Sequence, residues 1–224
     1  MAELPHMKAL VAPGRKLTND ELARYSRHLL IPDIDEVGQA RLLNAKVLCV
    51  GAGGLGSPTI LYLAAAGVGT IGILDYDNVE ISNLQRQVIH TEADLGKSKV
   101  ESAASKVRAL NPSINLNLHE EKLTENNAIE IFNDYDLVID GTDNFATRYL
   151  INDAAAILGN HTFGEVFIDL MDRFQYSGAN TDLVIVVCTQ RHPPPVWYQV
   201  VPKVEYLEVC VAQSELFKAL KRSN

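Results

Sequence analysis

The stretch that decides the fold is KVLCVGAGGLGSP, which runs from Lys46 to Pro58. Its first five residues are a short, β-favouring apolar run bounded by glycine, which is typical of a buried strand. The following segment, PTILYLAAAGVG, has proline in its first turn and Gly67 near its end, as many helices do. Between the two, residues Gly51 to Gly56 have the spacing G-x-G-x-x-G. The sequence therefore predicts a strand, a glycine loop and a helix in immediate succession.

Further strands and helices are predicted to alternate after this stretch. The predicted strands are TIGILDYD, INLNLH and DLVID, and the predicted helices are GKSKVESAASKVRALNP, ENNAIEIFND and NFATRYLINDAAAILG. Such alternation is typical of βαβ units around a parallel sheet. We expect residues 16–159 to form one α/β, Rossmann-like, doubly wound domain with a mainly parallel sheet.

The chain before the first strand predicts a helical extension. LTNDELARYSRHLL should form a helix that Thr18 caps, with Glu21 completing a capping box. DEVGQARLLNA should add a short second helix. Residues 1–15 lack the layout of a signal peptide, and we interpret them as a loose leader.

Composition narrows the function classes. The net charge of −8 argues against nucleic acid and anionic membranes as partners, because both require clustered positive charge. No apolar run is long enough to span a bilayer. The three cysteines, Cys49, Cys188 and Cys210, form no CxxC pair. We therefore expect a cytoplasmic protein without a zinc site or a disulfide framework.

The glycine loop predicts a nucleotide site. Glycines allow the backbone to approach a phosphate, which then lies at the positive N-terminus of the following helix. Asp75 ends the next predicted strand, where a carboxylate can accept hydrogen bonds from ribose hydroxyls. The alternative is a tight structural turn. The pattern does not distinguish a dinucleotide from ATP.

Three charged residues favour phosphate chemistry. Arg86 follows the Asp75 strand, and a guanidinium can bind two phosphate oxygens at once. Lys99 could supply a second cation near a helix start. Asp143 follows DLVID at the carboxyl edge of the sheet, where a carboxylate can hold magnesium. Taken singly, Arg86 and Lys99 could be solvated charges and Asp143 a helix cap. Together with the loop they suit phosphoryl or nucleotidyl transfer.

Several motifs in order resemble the MoeB/ThiF family of adenylyltransferases, which are relatives of the ubiquitin-activating enzymes. These motifs are RYSRH, VLCVGAGGLGSP, LDYDNVEISNLQRQVIH, GKSKVESA and GTDNFATRYLIND. The resemblance runs from about Lys16 to Gly159. It implies that an enzyme of this type uses ATP and Mg²⁺ to adenylate the C-terminal Gly-Gly of a ubiquitin-like sulfur carrier, releasing pyrophosphate.

The resemblance also implies a role for each matching residue. Glycines of the loop approach the triphosphate, Asp75 holds the ribose, and Asp143 binds magnesium. Three further side chains contact phosphates, namely Asn83, Arg86 and Lys99. The loop residues concerned are Gly51, Gly53, Gly54 and Gly56.

The resemblance implies partners as well. Arg27 would reach into the nucleotide site of a second subunit, so the enzyme would be a homodimer. The carrier could be of the molybdopterin, thiamin or cysteine-biosynthesis type. A rhodanese domain or a cysteine desulfurase could supply the sulfur.

The segment after Gly159 departs from the family pattern. The family continues with a strand and a carrier-binding loop, resembling LGKPYVWGSIYRFDG, whereas this chain has LGNHTFGEVFIDLMD. When the last base of each codon is read with the first two of the next, His161-Thr162 can encode Tyr, Thr162-Phe163 can encode Val and Phe163-Gly164 can encode Trp. A long run of such overlaps follows in the family's order. We infer that residues 160–224 come from a reading frame displaced by one nucleotide, the rival being a novel C-terminal domain.

A displaced frame was not selected to fold, so we expect an unreliable or disordered tail. Its strand-like DLVIVVC and proline-rich HPPPVW segments would be accidental. Later strands, the carrier-binding loop and part of the dimer surface would be lost, which predicts poor solubility and weak or no activity. The alternatives are therefore a catalytically impaired, truncated ATP-binding remnant and, more remotely, an NAD or FAD oxidoreductase.

Overall fold

The computed structural model describes residues 9–32, 34–159 and 161–164 of the 224-residue chain. Five parallel strands form one sheet in the order β3-β2-β1-β4-β5. The strands are β1 (Lys46–Val50), β2 (Thr70–Leu74), β3 (Asn115–His119), β4 (Leu137–Asp140) and β5 (His161–Gly164). The predicted α/β class with a parallel, Rossmann-like sheet is confirmed.

Seven helices accompany the sheet within the described residues. They are α1 (Asn19–Arg24), α2 (Ser26–Leu29), α3 (Asp35–Asn44), α4 (Gly56–Ala66), α5 (Lys99–Leu110), α6 (Ala128–Phe132) and α7 (Phe145–Leu158). Short 3₁₀ turns occupy Ile81–Asn83 and Glu92–Asp94. Within this part of the chain, no helix combines the length and the apolarity needed to cross a membrane.

Strand β1 explains why the sheet is covered on both faces. Because successive side chains of a strand point to opposite faces, Val47 and Cys49 enter one core and Leu48 and Val50 the other. Helices α4 and α5 complete the first core, and α6 and α7 the second. Burial raises the pKa of Cys49 to about 12, as expected for a thiol that fills a core.

The strand order also fixes where a ligand can bind. After β1 the chain moves outward through β2 to β3, and it then returns to place β4 on the opposite side of β1. Ligands of doubly wound sheets bind at the carboxyl ends of the strands where the order reverses. Here that point lies between the ends of β1 and β4, and the glycine loop begins there.

The N-terminal extension differs from the prediction in one respect. Thr18 and Glu21 form the predicted capping box, but the predicted single helix is broken at Tyr25 into α1 and α2. Tyr25 is buried, and its ring occupies the space that a side chain at Gly67 would take. Asn111 donates a hydrogen bond to its hydroxyl from 2.9 Å. We infer that burying Tyr25 against Gly67 and Asn111 stabilises the chain more than an unbroken helix would.

The described part of the predicted loose leader is packed. Val11 is buried in the core that contains Cys49, and Asn44 donates a hydrogen bond to the carbonyl of Ala12. Arg15 forms an ion pair with Glu21 at 2.6 Å. Residues 9–15 are therefore held by contacts that composition alone did not indicate, and residues 1–8 lie outside the described range.

Strand β5 lies within the segment that the sequence analysis assigned to the displaced tail. It pairs with β4 in parallel, from His161 opposite Leu137 to Gly164 opposite Asp140. Strand pairing uses backbone groups, and β4 offers a free edge directly after α7 ends at Gly159. A strand can therefore form there although none was expected. Residues 165–224, with DLVIVVC, HPPPVW, Cys188 and Cys210, lie outside the described residues.

Candidate nucleotide-binding site

Two glycines of the loop are required by backbone conformation or by close backbone contacts within the chain. Gly51 has a φ of +95°, which other residues rarely adopt, and a Cβ there would lie 2.9 Å from the carbonyl oxygen of Gly141. A Cβ at Gly56 would overlap the carbonyl oxygen of Gly51. These glycines allow β1, α4 and the end of β4 to approach one another.

The other two glycines leave one face of the loop open. A Cβ at Gly53 would have no neighbour nearer than Nε2 of Gln87, at 3.6 Å. A Cβ at Gly54 would come no nearer than 3.6 Å to the aliphatic part of Arg86. The segment NLQRQ therefore lies over the loop, with consecutive side chains above consecutive glycines.

The peptide groups of Ala52 are held from two sides. Asp75 Oδ2 accepts a hydrogen bond from the Ala52 amide at 2.8 Å, and its Oδ1 accepts one from the Asp77 amide at 2.9 Å. On the other side, Nε2 of His90 donates to the Ala52 carbonyl at 3.0 Å. The backbone of the loop is thus fixed before any ligand binds.

The contacts of His90 define its protonation. Because Nε2 faces a carbonyl oxygen it must carry a proton, and Nδ1 then accepts a hydrogen bond from the hydroxyl of Ser102 at 2.8 Å. Burial lowers the pKa of His90, so the neutral imidazole is favoured. Sequence reasoning missed His90, because a histidine after an apolar pair gives no sign of the direction in which it points.

Asn83 organises the turn that carries Arg86. Its Oδ1 accepts a hydrogen bond from the Glu80 amide at 3.0 Å. Its carbonyl accepts hydrogen bonds from the amides of Arg86 and Gln87. The guanidinium of Arg86 donates to the Ser82 carbonyl at 3.2 Å and is exposed. Arg86 is therefore directed across the loop and keeps donors available to solvent.

Lys99 is neither exposed nor free in this structure. Its side chain is 7% exposed, and its ammonium lies 2.8 Å from a carboxylate oxygen of Asp77. Its amide also donates to the Asp77 carbonyl at 3.0 Å. The cation therefore lies at the start of α5, as expected, but it is neutralised within the chain.

Asp143 lies in the short loop between β4 and α7. Its side chain is exposed and makes no hydrogen bond or ion pair to the described residues. It does not cap α7, because Asn144 does so by accepting a hydrogen bond from the Thr147 amide at 2.9 Å. Asp140, the last residue of β4, is buried, and burial raises its pKa. Its Oδ1 accepts hydrogen bonds from the amide and the hydroxyl of Thr142. Asp143 is therefore the carboxylate available to a ligand.

Arg27 stands apart from the other predicted residues. It lies on α2, is exposed, and forms no hydrogen bond or ion pair with the described residues. The structure thus gathers the loop, Asp75, Asn83 and Arg86 at one edge of the sheet. Lys99 begins α5, where it pairs with Asp77, and Asp143 lies in the loop after β4. Arg27 contributes nothing to this edge within one chain.

The site has the donor set for a hard cation that arrives with a substrate. Within the described residues, no three His, Cys, Asp or Glu side chains cluster in a way that could hold a metal ion. Mg²⁺ commonly binds through one or two carboxylates together with substrate phosphates. An exposed, unpaired carboxylate at Asp143, beside a loop suited to phosphate, fits that mode.

Comparisons with known proteins place the chain in a family. The model of the ThiF family matches residues 25–167. Over 159 residues the chain is 59% identical to the probable adenylyltransferase/sulfurtransferase MoeZ of Mycobacterium tuberculosis, covering 70% of this chain and 41% of that protein. It is 48% identical to the sulfur carrier protein adenylyltransferase of Thermus thermophilus, covering 67% of this chain and 56% of that protein.

A solved structure has the same fold. The tRNA N6-threonylcarbamoyladenosine dehydratase TcdA of E. coli superposes with a TM-score of 0.64 at 22% identity, covering 68% of this chain and 61% of that one. The chain thus spans about two fifths to just over half of the curated relatives named above. With its sheet, its glycine loop and a family match over most of the described residues, the chain belongs to the ThiF family.

Proposed function

We propose that this chain binds ATP with Mg²⁺ and transfers AMP to the C-terminal carboxylate of a ubiquitin-like sulfur carrier ending in Gly-Gly. Pyrophosphate is the second product. The names of its relatives support the reaction class, since MoeZ is called a probable adenylyltransferase/sulfurtransferase and the Thermus thermophilus relative a sulfur carrier protein adenylyltransferase.

The observation that carries the proposal is the position of Arg86 above Gly54. An exposed guanidinium over a glycine loop suits a chain of phosphates that changes charge during the reaction. Hydride transfer requires no such cation at this point. The unpaired carboxylate of Asp143 in the loop after β4 adds a place for Mg²⁺, which an NAD or FAD oxidoreductase would not use.

The remaining residues take the following roles. Gly53 and Gly54 leave space for the phosphates on the open face of the loop. Asp75 keeps acceptor capacity for ribose hydroxyls, because each of its oxygens accepts one backbone hydrogen bond and has a second lone pair. Asn83 sets the turn of Arg86 and contacts phosphate with its side chain.

Lys99 serves as a second phosphate cation. Its ammonium is paired with Asp77, whose side chain is 49% exposed. Triphosphate carries more negative charge than one carboxylate, so the ammonium can turn from Asp77 toward phosphate when the nucleotide binds. The pair would keep the buried cation neutralised until then.

The chemical step needs no nucleophile from the protein. An oxygen of the carrier carboxylate attacks the α-phosphorus, the new C(O)O–P bond forms, and the bond between the α-phosphorus and the bridging oxygen to the β-phosphate breaks. Pyrophosphate leaves with that electron pair. Mg²⁺ would neutralise phosphate charge when bound at Asp143, while Arg86 and Lys99 hold the phosphates in line for attack.

Partners follow from the same proposal. Arg27 is exposed and unengaged in the single chain, which suits a role in the site of a second subunit and hence a homodimer. The carrier could serve molybdopterin, thiamin or cysteine biosynthesis, and a rhodanese or cysteine desulfurase would supply sulfur. The site of action would be the cytoplasm.

ATP–pyrophosphate exchange tests the proposal. Labelled pyrophosphate should enter ATP only when the chain, Mg²⁺ and a Gly-Gly-ending carrier are all present. A carrier lacking its last glycine is the matched control and should support none. Exchange that ignores the carrier would contradict the proposal. ATP binding without any exchange would instead identify the chain as an impaired ATP-binding remnant of the family.

A further inference from the structure

We propose that Gln87 is a direct phosphate ligand of this site, donating from its side-chain amide to the nucleotide phosphate that lies over Gly53. The inference rests on the proposed function, because it names a further contact for the same nucleotide. Neither the glycine pattern nor the charged residues of the segment indicated it.

The first observation is an unsatisfied buried amide. Gln87 is 4% exposed, and its Oε1 is buried with no hydrogen-bond partner among the described residues. A buried amide oxygen without a partner is rare in native proteins, because it loses its bonds to water and gains none in return. Such a group therefore requires an explanation at this position.

The second observation is the direction of the amide. Its Nε2 is the nearest atom to the position of a Cβ on Gly53, at 3.6 Å. The NH₂ group thus lies beside Gly53, where the loop itself carries no side chain. Since no internal hydrogen bond holds its Oε1, the amide can turn toward a ligand without breaking a bond to that oxygen.

The third observation is the neighbouring residue. Arg86 covers Gly54 as Gln87 covers Gly53, and the amides of both donate to the carbonyl of Asn83. One turn therefore delivers a charged donor and a neutral donor to adjacent points of a surface suited to phosphate. A ligand with several negatively charged oxygens in a row would satisfy both, which is the chemistry of a nucleoside polyphosphate.

The structural alternative is that Gln87 merely supports the turn. It predicts that removing the amide would lower stability and affect every ligand equally. The ligand role predicts a loss that grows with the number of phosphates and leaves stability intact. The two readings therefore differ in measurable ways.

The test is titration calorimetry of the full chain with ATP, ADP, AMP and adenosine in the presence of Mg²⁺. Gln87→Met removes the donor at similar volume, and Gln87→Glu keeps the shape but places an acceptor toward the phosphates. The matched control is Gln85→Glu, which makes the same charge change at an exposed position two residues away. Melting temperatures without nucleotide report stability.

We expect both Gln87 variants to raise the Kd for ATP at least tenfold, with a smaller effect on AMP and none on adenosine. Gln85→Glu should change the Kd for ATP less than threefold. Unchanged ATP affinity in Gln87→Met, or an equal loss for adenosine and ATP, would overturn the inference. If the unmodified chain binds no ATP, the proposed function itself fails, which is a distinct result.

Discussion

At the scale of single residues, the proposed function depends most on the guanidinium of Arg86. Arg86→Ala should weaken ATP binding about 10- to 100-fold, since hydrogen bonds to charged groups contribute about 1.5–3 kcal/mol. Calorimetry with ATP measures the change. Arg108→Ala is the control, because Arg108 is exposed on α5 and has no partner among the described residues. Equal affinities in the two variants would remove Arg86 from the site.

His90 gives the site a dependence on pH. Burial lowers its pKa below the ordinary value of 6.5, so the unfolded chain binds a proton that the folded chain resists. Stability is therefore complete above pH 6.5 and is lost as the pH falls from there through the folded pKa. Urea unfolding at about pH 7.5 and about pH 5.5 should show this loss.

His119 titrates in the same direction, because burial lowers its pKa as well. His90→Leu should therefore remove only part of the pH dependence of stability, and His119→Leu another part. ATP affinity separates the two residues. It should fall in His90→Leu, which has no donor for the Ala52 carbonyl, and stay unchanged in His119→Leu, since His119 lies on β3. The opposite pattern would argue against a loop-holding role for His90.

Sequence reasoning could propose part of the candidate site at this scale. Glycines and charged residues can be identified from residue type and spacing, so Gly51, Asp75 and Arg86 could be proposed from the sequence. Neutral polar residues such as His90 and Gln87 carry no such signal, because their role depends on which way a turn directs them. The ion pair between Lys99 and Asp77 could not be predicted from the sequence either, because the two residues are 22 positions apart.

At the scale of elements, the loop between β1 and α4 has two kinds of glycine. Gly56→Ala should destabilise the fold by about 1–3 kcal/mol or more, because the added carbon would overlap the Gly51 carbonyl. Gly53→Ala should leave stability almost unchanged, since no atom lies within 3.6 Å, but should weaken ATP binding. Urea unfolding and calorimetry on both variants check this contrast. A reversed order of stability would show that the loop is built differently.

The elements themselves were well indicated by local pattern. Strand β1 has the predicted limits, because a short apolar run bounded by a glycine leaves little freedom. The break at Tyr25 was not predicted, since it depends on Gly67 and Asn111, which are far along the chain. Strand β5 was not predicted either. It forms by pairing with the edge of β4, and the position of that edge depends on the tertiary structure.

At the scale of the whole molecule, the chain matches its relatives over only part of their length. The family model ends at residue 167, shortly after β5. We propose that a displaced reading frame accounts for the sequence beyond Gly159. Sequencing the gene across the codons for Leu158 to Phe163 from independent template should reveal one missing base. A clean confirmation of the present codons would contradict this and make the chain a true variant of the family.

The measurement that tests the central claim most directly is equilibrium binding of nucleotides to the full chain. ATP with Mg²⁺ should bind and raise the melting temperature, and the binding should weaken in Arg86→Ala. Under the proposed function NAD⁺ should produce no shift, because the exposed guanidinium of Arg86 over Gly54 and the exposed carboxylate of Asp143 suit a triphosphate with Mg²⁺. A clear shift with NAD⁺ and none with ATP would contradict the assignment of an adenylyltransferase site.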